Sequence, residues 1–173
     1  MKNNKNLRSW LNKMELKHPL VIAGPCSAES ESQVLKVAHQ LKNTDATIFR
    51  AGIWKPRTRP GNFEGVGEIG LKWLKKVKDE TGLLTAIEVA NPTHVELAIK
   101  NGVDIVWIGA RSTVSPFIVQ EIAEALIGTK KVVLVKNPVN PDLSLWLGAV
   151  ERLYASNTKN IGVIHRGFSN YEK

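Results

Sequence analysis

Apolar residues change period repeatedly along this chain. Short β-branched runs alternate with stretches in which apolar residues recur every three or four positions, the marks of strands and of amphipathic helices. Leu20–Cys26 (LVIAGPC) reads as a first strand and its exit. Ser30–Leu41 reads as a helix, with Val34, Leu35, Val37, Ala38 and Leu41 at helical spacing and cap chemistry available from Ser27 to Ser30. Thr47–Ile53 is the second predicted strand. Gly67–Glu80 is the second predicted helix, carrying Ile69, Leu71, Trp73, Leu74 and Val77 and closed by Gly82. The further predicted strands are Leu84–Ala90, Ile105–Ala110, Val132–Lys136 and Ile161–His165. Between them lie predicted helices at Pro92–Lys100, Val114–Ile127 and Leu143–Ala155. Pro92 suits a first helical turn, and Gly128 ends the helix before it.

Strand followed by helix, repeated, predicts parallel pairing through right-handed crossovers. The strands are near-continuous apolar runs, as expected when both faces of a sheet are covered. Two α/β architectures satisfy this pattern: a doubly wound open sheet and a (β/α)8 barrel. Periodicity does not separate them. A full barrel usually takes about 250 residues, and this chain of 173 reaches only a sixth strand. No Ser/Gly-rich linker or low-complexity block divides the sequence. The expected organisation is an N-terminal extension over 1–18, with a short helix at Asn6–Met14, and one α/β domain over 19–173.

Composition narrows the function classes. With 43% hydrophobic residues the chain can bury a sizeable core, yet no apolar run approaches the ~20 residues of a membrane span. The polar, basic start, MKNNKNLRSWLNKMELKH, lacks the apolar core and cleavage site of a secretory signal. A single cysteine excludes an internal disulfide framework and fits a reducing, cytoplasmic setting. The net charge of +8 admits nucleic acid, an anionic membrane or small anionic substrates as partners. Much of the excess lies in the N-terminal tail and on lysines such as Lys72, Lys75, Lys76 and Lys78, which read as solvated helix surface. No basic stripe with interleaved stacking aromatics argues for nucleic acid.

The chemistry is expected where the strands end, because parallel α/β folds gather ligands at the C-terminal ends of their strands. The first strand exits at Cys26. The second exits at Arg50, with Lys55 and Arg57 a few residues on. The third exits through Glu88, the fourth at Arg111, the fifth at Lys136 and the sixth at Arg166. Each of these cations alone reads as surface. Together at one rim they would repel one another unless an anion joined them. Arginine suits that role because its planar fork binds phosphate and carboxylate in bidentate fashion. The expectation is a hollow shared by Arg50, Lys55, Arg111, Lys136 and Arg166 that takes multiply anionic ligands.

Other residues divide between structure and function. Cys26 is either a small buried residue, the commoner fate of a lone cysteine, or one ligand of a metal that needs two or three more. His165 reads as structural, His18, His39 and His94 as surface, and Glu88 as a structural counter-charge. In the loop KPRTRPGNFEG, two prolines stiffen the chain and two glycines let backbone approach a ligand.

These residues also carry a family resemblance. AGPCSAES at 23–30, FRAGIWKPRTRPGNFEG at 49–65, EV at 88–89, IGARS at 108–112, LVKNP at 134–138 and HRGF at 165–168 resemble the type I 3-deoxy-7-phosphoheptulonate synthases, closest to the β subgroup. The likeness runs from about Lys17 onward. It implies a (β/α)8 barrel, here incomplete, with about six parallel strands and without the last two βα units. It implies condensation of phosphoenolpyruvate with erythrose 4-phosphate and water at the start of aromatic amino-acid synthesis, a divalent metal, commonly manganese, and a homo-oligomer. By resemblance, Arg50, Lys55, Arg111, Lys136 and Arg166 bind phosphoenolpyruvate. Lys55, Pro56, Arg57 and Thr58 hold erythrose 4-phosphate, Arg57 on its phosphate. Lys55 is expected as proton donor and Cys26 as metal ligand.

The remaining metal ligands of the family, a His, a Glu and an Asp, are not found in this chain. The expectation is therefore a C-terminally truncated, inactive fragment. The related 3-deoxy-octulosonate 8-phosphate synthases, which use arabinose 5-phosphate, typically have Lys-Ala-Asn-Arg where this chain has Lys55-Pro56-Arg57-Thr58. A non-catalytic binder of phosphorylated ligands is the alternative from another class.

Overall fold

The computed structural model describes Trp10, Asn12, residues 19–55 and residues 57–169. Pro56, His18, and most of the predicted extension and its helix lie outside the described residues. The strands are β1 (Val21–Ala23), β2 (Ala46–Arg50), β3 (Leu84–Val89), β4 (Ile105–Ile108), β5 (Val132–Lys136) and β6 (Asn160–Ile164). The helices are α1 (Glu31–Lys42), α2 (Ile69–Thr81), α3 (Pro92–Lys100), α4 (Ala110–Thr113), α5 (Pro116–Ala125) and α6 (Leu143–Ala155). The sheet order is β1-β2-β3-β4-β5-β6. A doubly wound sheet reverses its order at a switch point, whereas a barrel adds each strand beside the last. The unreversed order resolves the tie in favour of the (β/α)8 family, with six strands among the described residues. No helix among the described residues is long and apolar enough to cross a membrane.

Contacts divide the chain into two compact units. The first comprises Met14–Glu88 and Leu97–Ile105. In it β1 pairs in parallel with β2 (Ile22↔Ile48, Ala23↔Phe49), and β2 with β3 (Phe49↔Thr85, Arg50↔Ala86). Ile48, Phe49 and Ile87 of the strands are fully buried, as are Val34 of α1 and Leu71, Leu74 and Val77 of α2. Helix α1 starts where the sequence predicts, because the Ser30 hydroxyl accepts the Gln33 amide at 3.2 Å. At the starts of β3 and β4, Asp104 accepts the Thr85 amide (2.9 Å) and hydroxyl (3.1 Å) and the Lys78 ammonium (2.6 Å). That end of the unit is thus closed by structural polar contacts.

The second unit comprises Met1–Lys13, Val89–Glu96 and Val106–Lys173. Here β5 and β6 pair in parallel from Val132↔Asn160 to Lys136↔Ile164. The predicted helix Val114–Ile127 is shorter, α5 over Pro116–Ala125, and a one-turn helix that the apolar pattern did not predict, α4 over Ala110–Thr113, precedes it, the two separated by Val114–Ser115. The cause is local. Pro116 disfavours helical backbone at Ser115, whose φ of −107° and ψ of 104° are extended. The Ser115 hydroxyl then accepts the Ile118 amide and restarts the helix with proline in its first turn. Helix α6 begins as predicted, with the Asp142 carboxylate accepting the Leu145 amide at 2.9 Å. The buried Trp10 lies against β6, its indole N–H donating to the Ile161 carbonyl at 3.2 Å.

Candidate functional site at the strand ends

In the first unit the exits of β1 and β2 are tied together. The Arg50 guanidinium donates from Nη1 to the Pro25 carbonyl at 2.8 Å, and the Ala28 amide donates to the Gly52 carbonyl at 2.9 Å. Lys55 Nζ donates to the Cys26 carbonyl at 2.8 Å and lies 3.4 Å from Cys26 Sγ. Two glycines permit this closeness. A Cβ on Gly24, where φ is +144°, would stand 2.0 Å from the Arg50 carbonyl oxygen. A Cβ on Gly52 would stand 2.2 Å from the Cys26 carbonyl oxygen and 3.1 Å from Lys55 Nζ. Any side chain at either position would push backbone apart.

Cys26 is exposed, not the small buried residue that a lone cysteine more often is. The Lys55 ammonium hydrogen-bonds its sulfur and attracts the thiolate, which pulls the thiol below its ordinary value. Burial opposes this, and Arg50 adds a smaller lowering. The loop that follows folds back on itself. The Lys55 amide donates to the Glu64 carbonyl at 2.8 Å, the Gly67 amide to the Ile53 carbonyl at 2.9 Å, and Arg57 Nε to the Phe63 carbonyl at 2.8 Å. Arg57 and Thr58 are exposed on this loop, with Lys55 half-buried at its root.

In the second unit Arg111 stands on α4, one residue after its start, and is exposed. Lys136 ends β5, half-buried, with Nζ 5.5 Å from the centroid of the Trp107 ring, a cation–π contact. Arg166, exposed, follows β6 by two residues, and its amide donates to Asn137 Oδ1 at 2.6 Å. His165 packs edge-on to Phe168 at 5.3 Å between ring centroids and lies 6.2 Å from Trp146. His94, expected at the surface, is instead half-buried at the start of α3. Its amide donates to Asn91 Oδ1 at 2.8 Å, and its Nδ1 accepts the Ala90 amide at 3.3 Å.

Sequence reading passed over Gly52, Trp107, Thr113 and Asn137. A signal was present for Asn137: an amide side chain directly after an apolar strand and before a proline has a buried backbone to satisfy. For Thr113 the signal was weaker, a hydroxyl two residues after the exit cation Arg111.

A divalent metal is tested poorly by these residues. Cys26 with its lowered pKa is a competent soft donor. Yet among the described residues no group of three or more His, Cys, Asp or Glu side chains is placed to hold a metal ion. Catalytic metals usually take three protein ligands. The described residues therefore do not fit a divalent ion on their own, and no chemical step is assigned to one.

Comparison with known proteins agrees with this arrangement. The chain is 31% identical over 153 residues to a phospho-2-dehydro-3-deoxyheptonate aldolase of Thermotoga maritima, covering 88% of this chain and 44% of that protein. It is 42% identical over 88 residues to a 2-dehydro-3-deoxyphosphooctonate aldolase of Campylobacter jejuni, covering 46% of this chain and 32% of that protein. The crystal structure of the Thermotoga maritima DAHP synthase superposes with a TM-score of 0.76 at 28% identity, over 89% of this chain and 43% of that one. A truncated form of the Thermotoga maritima 3-deoxy-D-arabino-heptulosonate 7-phosphate synthase superposes with a TM-score of 0.73 at 27% identity, over 89% of this chain and 54% of that one. The chain thus spans about half the length, or less, of the relatives it matches. The sequence model of the DAHP synthetase I family matches residues 15–173, and the chain belongs to that family.

Proposed function

We propose that this chain carries substrate-binding strand ends of an enzyme that condenses phosphoenolpyruvate with erythrose 4-phosphate and water, giving 3-deoxy-D-arabino-heptulosonate 7-phosphate and inorganic phosphate. The observation that carries this reading is the Lys55 ammonium held against Cys26 at the root of the Lys55-Pro56-Arg57-Thr58 loop, beside Arg50. In the reaction, the enol carbon of phosphoenolpyruvate bonds to the aldehyde carbon. Negative charge grows on the aldehyde oxygen, where a fixed cation is worth most. Lys55 is proposed to donate its proton there. Water then adds at the carbon that bears the phosphate, and the C–O bond to phosphate breaks. Arg111, Lys136 and Arg166 are proposed to bind phosphoenolpyruvate, and Arg57 and Thr58 the sugar phosphate. The motif Lys55-Pro56-Arg57-Thr58 favours erythrose 4-phosphate over arabinose 5-phosphate.

Phosphate release by the chain, with phosphoenolpyruvate and either sugar phosphate, with and without manganese, tests the reaction. Turnover with erythrose 4-phosphate that Lys55→Met abolishes supports it. Calorimetry with phosphoenolpyruvate alone tests the binding. A chain that binds phosphoenolpyruvate under none of these conditions refutes the reading. A second reading, a non-catalytic binder of phosphorylated ligands, is favoured because no group of three or more His, Cys, Asp or Glu side chains among the described residues is placed to hold a metal ion. Binding indifferent to manganese, without turnover, would select it.

A further inference from the structure

Two buried polar side chains of the second unit tie together the strand ends that carry its cations. Thr113 is 1% exposed. Its hydroxyl lies 3.0 Å from the Gly109 carbonyl, just before α4, and 2.9 Å from the carbonyl of Lys136. The turn that bears Arg111 is thereby fastened to the end of β5. One residue further on, Asn137 is 0% exposed. Its backbone amide donates to the Ile164 carbonyl at 3.1 Å, and its Oδ1 accepts the Arg166 amide at 2.6 Å. Its Nδ2 donates to the carbonyls of Gly167 and Pro138, both at 2.8 Å. Both side-chain donor hydrogens and the side-chain acceptor of this asparagine are thus engaged.

Arg111, Lys136 and Arg166 follow consecutive strand ends, and a ligand that meets all three needs those ends held in one geometry. Hydrophobic packing is non-directional and does not by itself fix the geometry of a turn. Fully satisfied buried polar contacts do, because each has one geometry and is costly to break. Neither Thr113 nor Asn137 is exposed enough to meet a ligand itself.

We infer that Thr113 and Asn137 are positioning residues, which hold Arg111, Lys136 and Arg166 in register for a phosphorylated carboxylate. The inference rests on the proposed function for its ligand, but its geometric half is tested without one. The readouts are calorimetry with phosphoenolpyruvate and amide hydrogen exchange by NMR, on the whole chain and on Thr113→Val, Thr113→Ser, Asn137→Asp and the core control Ile122→Val. Thr113→Val keeps shape and loses the donor; Asn137→Asp keeps the acceptor for Arg166 and turns the donor toward Gly167 into a repelling oxygen. Each should raise the phosphoenolpyruvate Kd about tenfold. Thr113→Ser restores the hydroxyl and should bind as the wild type, as should Ile122→Val, which only loosens the core. Without ligand, Asn137→Asp should speed exchange of the Arg166 and Gly167 amides. Unchanged exchange in Asn137→Asp overturns the inference, as does equal loss of affinity in Ile122→Val and Thr113→Val. Should Asn137→Asp not fold, the Thr113→Val and Thr113→Ser pair decides. A wild-type chain that ignores phosphoenolpyruvate sinks the proposed function, while the Arg166 amide still reports whether Asn137 holds that turn.

Discussion

Lys55 and Cys26 show how two ordinary side chains acquire reactivity from placement. A free thiol is mostly protonated at neutral pH. In this chain the Lys55 ammonium, 3.4 Å from Sγ, favours the thiolate and lowers the pKa, with Arg50 assisting. The thiolate is the nucleophile, so alkylation of metal-free chain by iodoacetamide should proceed faster near pH 7 than for an unperturbed thiol. Lys55→Met should move the pH midpoint of alkylation upward and slow the reaction at pH 7. Identical pH profiles for wild type and Lys55→Met would show that the ammonium does not reach the sulfur in solution. The sequence made the candidates legible, since Cys26, Arg50 and Lys55 follow strands whose C-terminal ends can be read from apolar runs. It did not make their contact legible. That contact depends on Gly24 and Gly52, whose missing side chains admit two carbonyls at distances no Cβ tolerates.

At the level of elements, boundaries were legible where side chains cap them and misread where a proline acts on its neighbour. The bounds of α3, β5 and α6 agree with the apolar pattern to the residue. The predicted helix Val114–Ile127 began two residues early because the apolar pattern starts at Val114 while the Ser115-Pro116 pair sets the cap, and the single turn α4 before it is too short to show a period. The start of α3 has a further property. His94 is half-buried, and burial disfavours its charged form, so its pKa lies below the ordinary 6.5. Its Nδ1 must also stay unprotonated to accept the Ala90 amide. The unfolded chain therefore binds a proton that the folded chain resists. The stabilisation is complete above about pH 6.5 and declines as pH falls from there toward the folded pKa. Glutamine at this position accepts a similar hydrogen bond and has no charge to gain. Urea unfolding at pH 7.5 and pH 5.5 should show a smaller loss of stability on acidification for His94→Gln than for wild type. Equal losses would place the acid sensitivity elsewhere.

For the whole molecule, the sequence pattern established which segments pair as strands but left their order open, since strand-helix alternation is common to open sheets and barrels. The order β1-β2-β3-β4-β5-β6 belongs to the structure and was reachable from sequence only through motifs shared with a family. Long-range contacts were equally hidden. Trp10 lies in a stretch whose composition reads as a solvated tail, yet its ring is 5% exposed and its indole N–H meets the Ile161 carbonyl, 151 positions away. Gly162 makes room for it: a Cβ there would stand 3.2 Å from the ring and 2.7 Å from Leu134 Cδ2. The indole thus satisfies a carbonyl on β6 and covers apolar surface beside it. Removing it leaves a cavity and an unpaired acceptor, so Trp10→Ala should cost about 3–5 kcal/mol of unfolding free energy. Trp10→Phe keeps most of the packing and loses only the hydrogen bond, for about 1 kcal/mol. Denaturant titrations of the three chains measure both steps. If Trp10→Ala unfolds at the wild-type midpoint, the N-terminal stretch contributes nothing to holding β6, and the start of the chain is the tail its composition suggests.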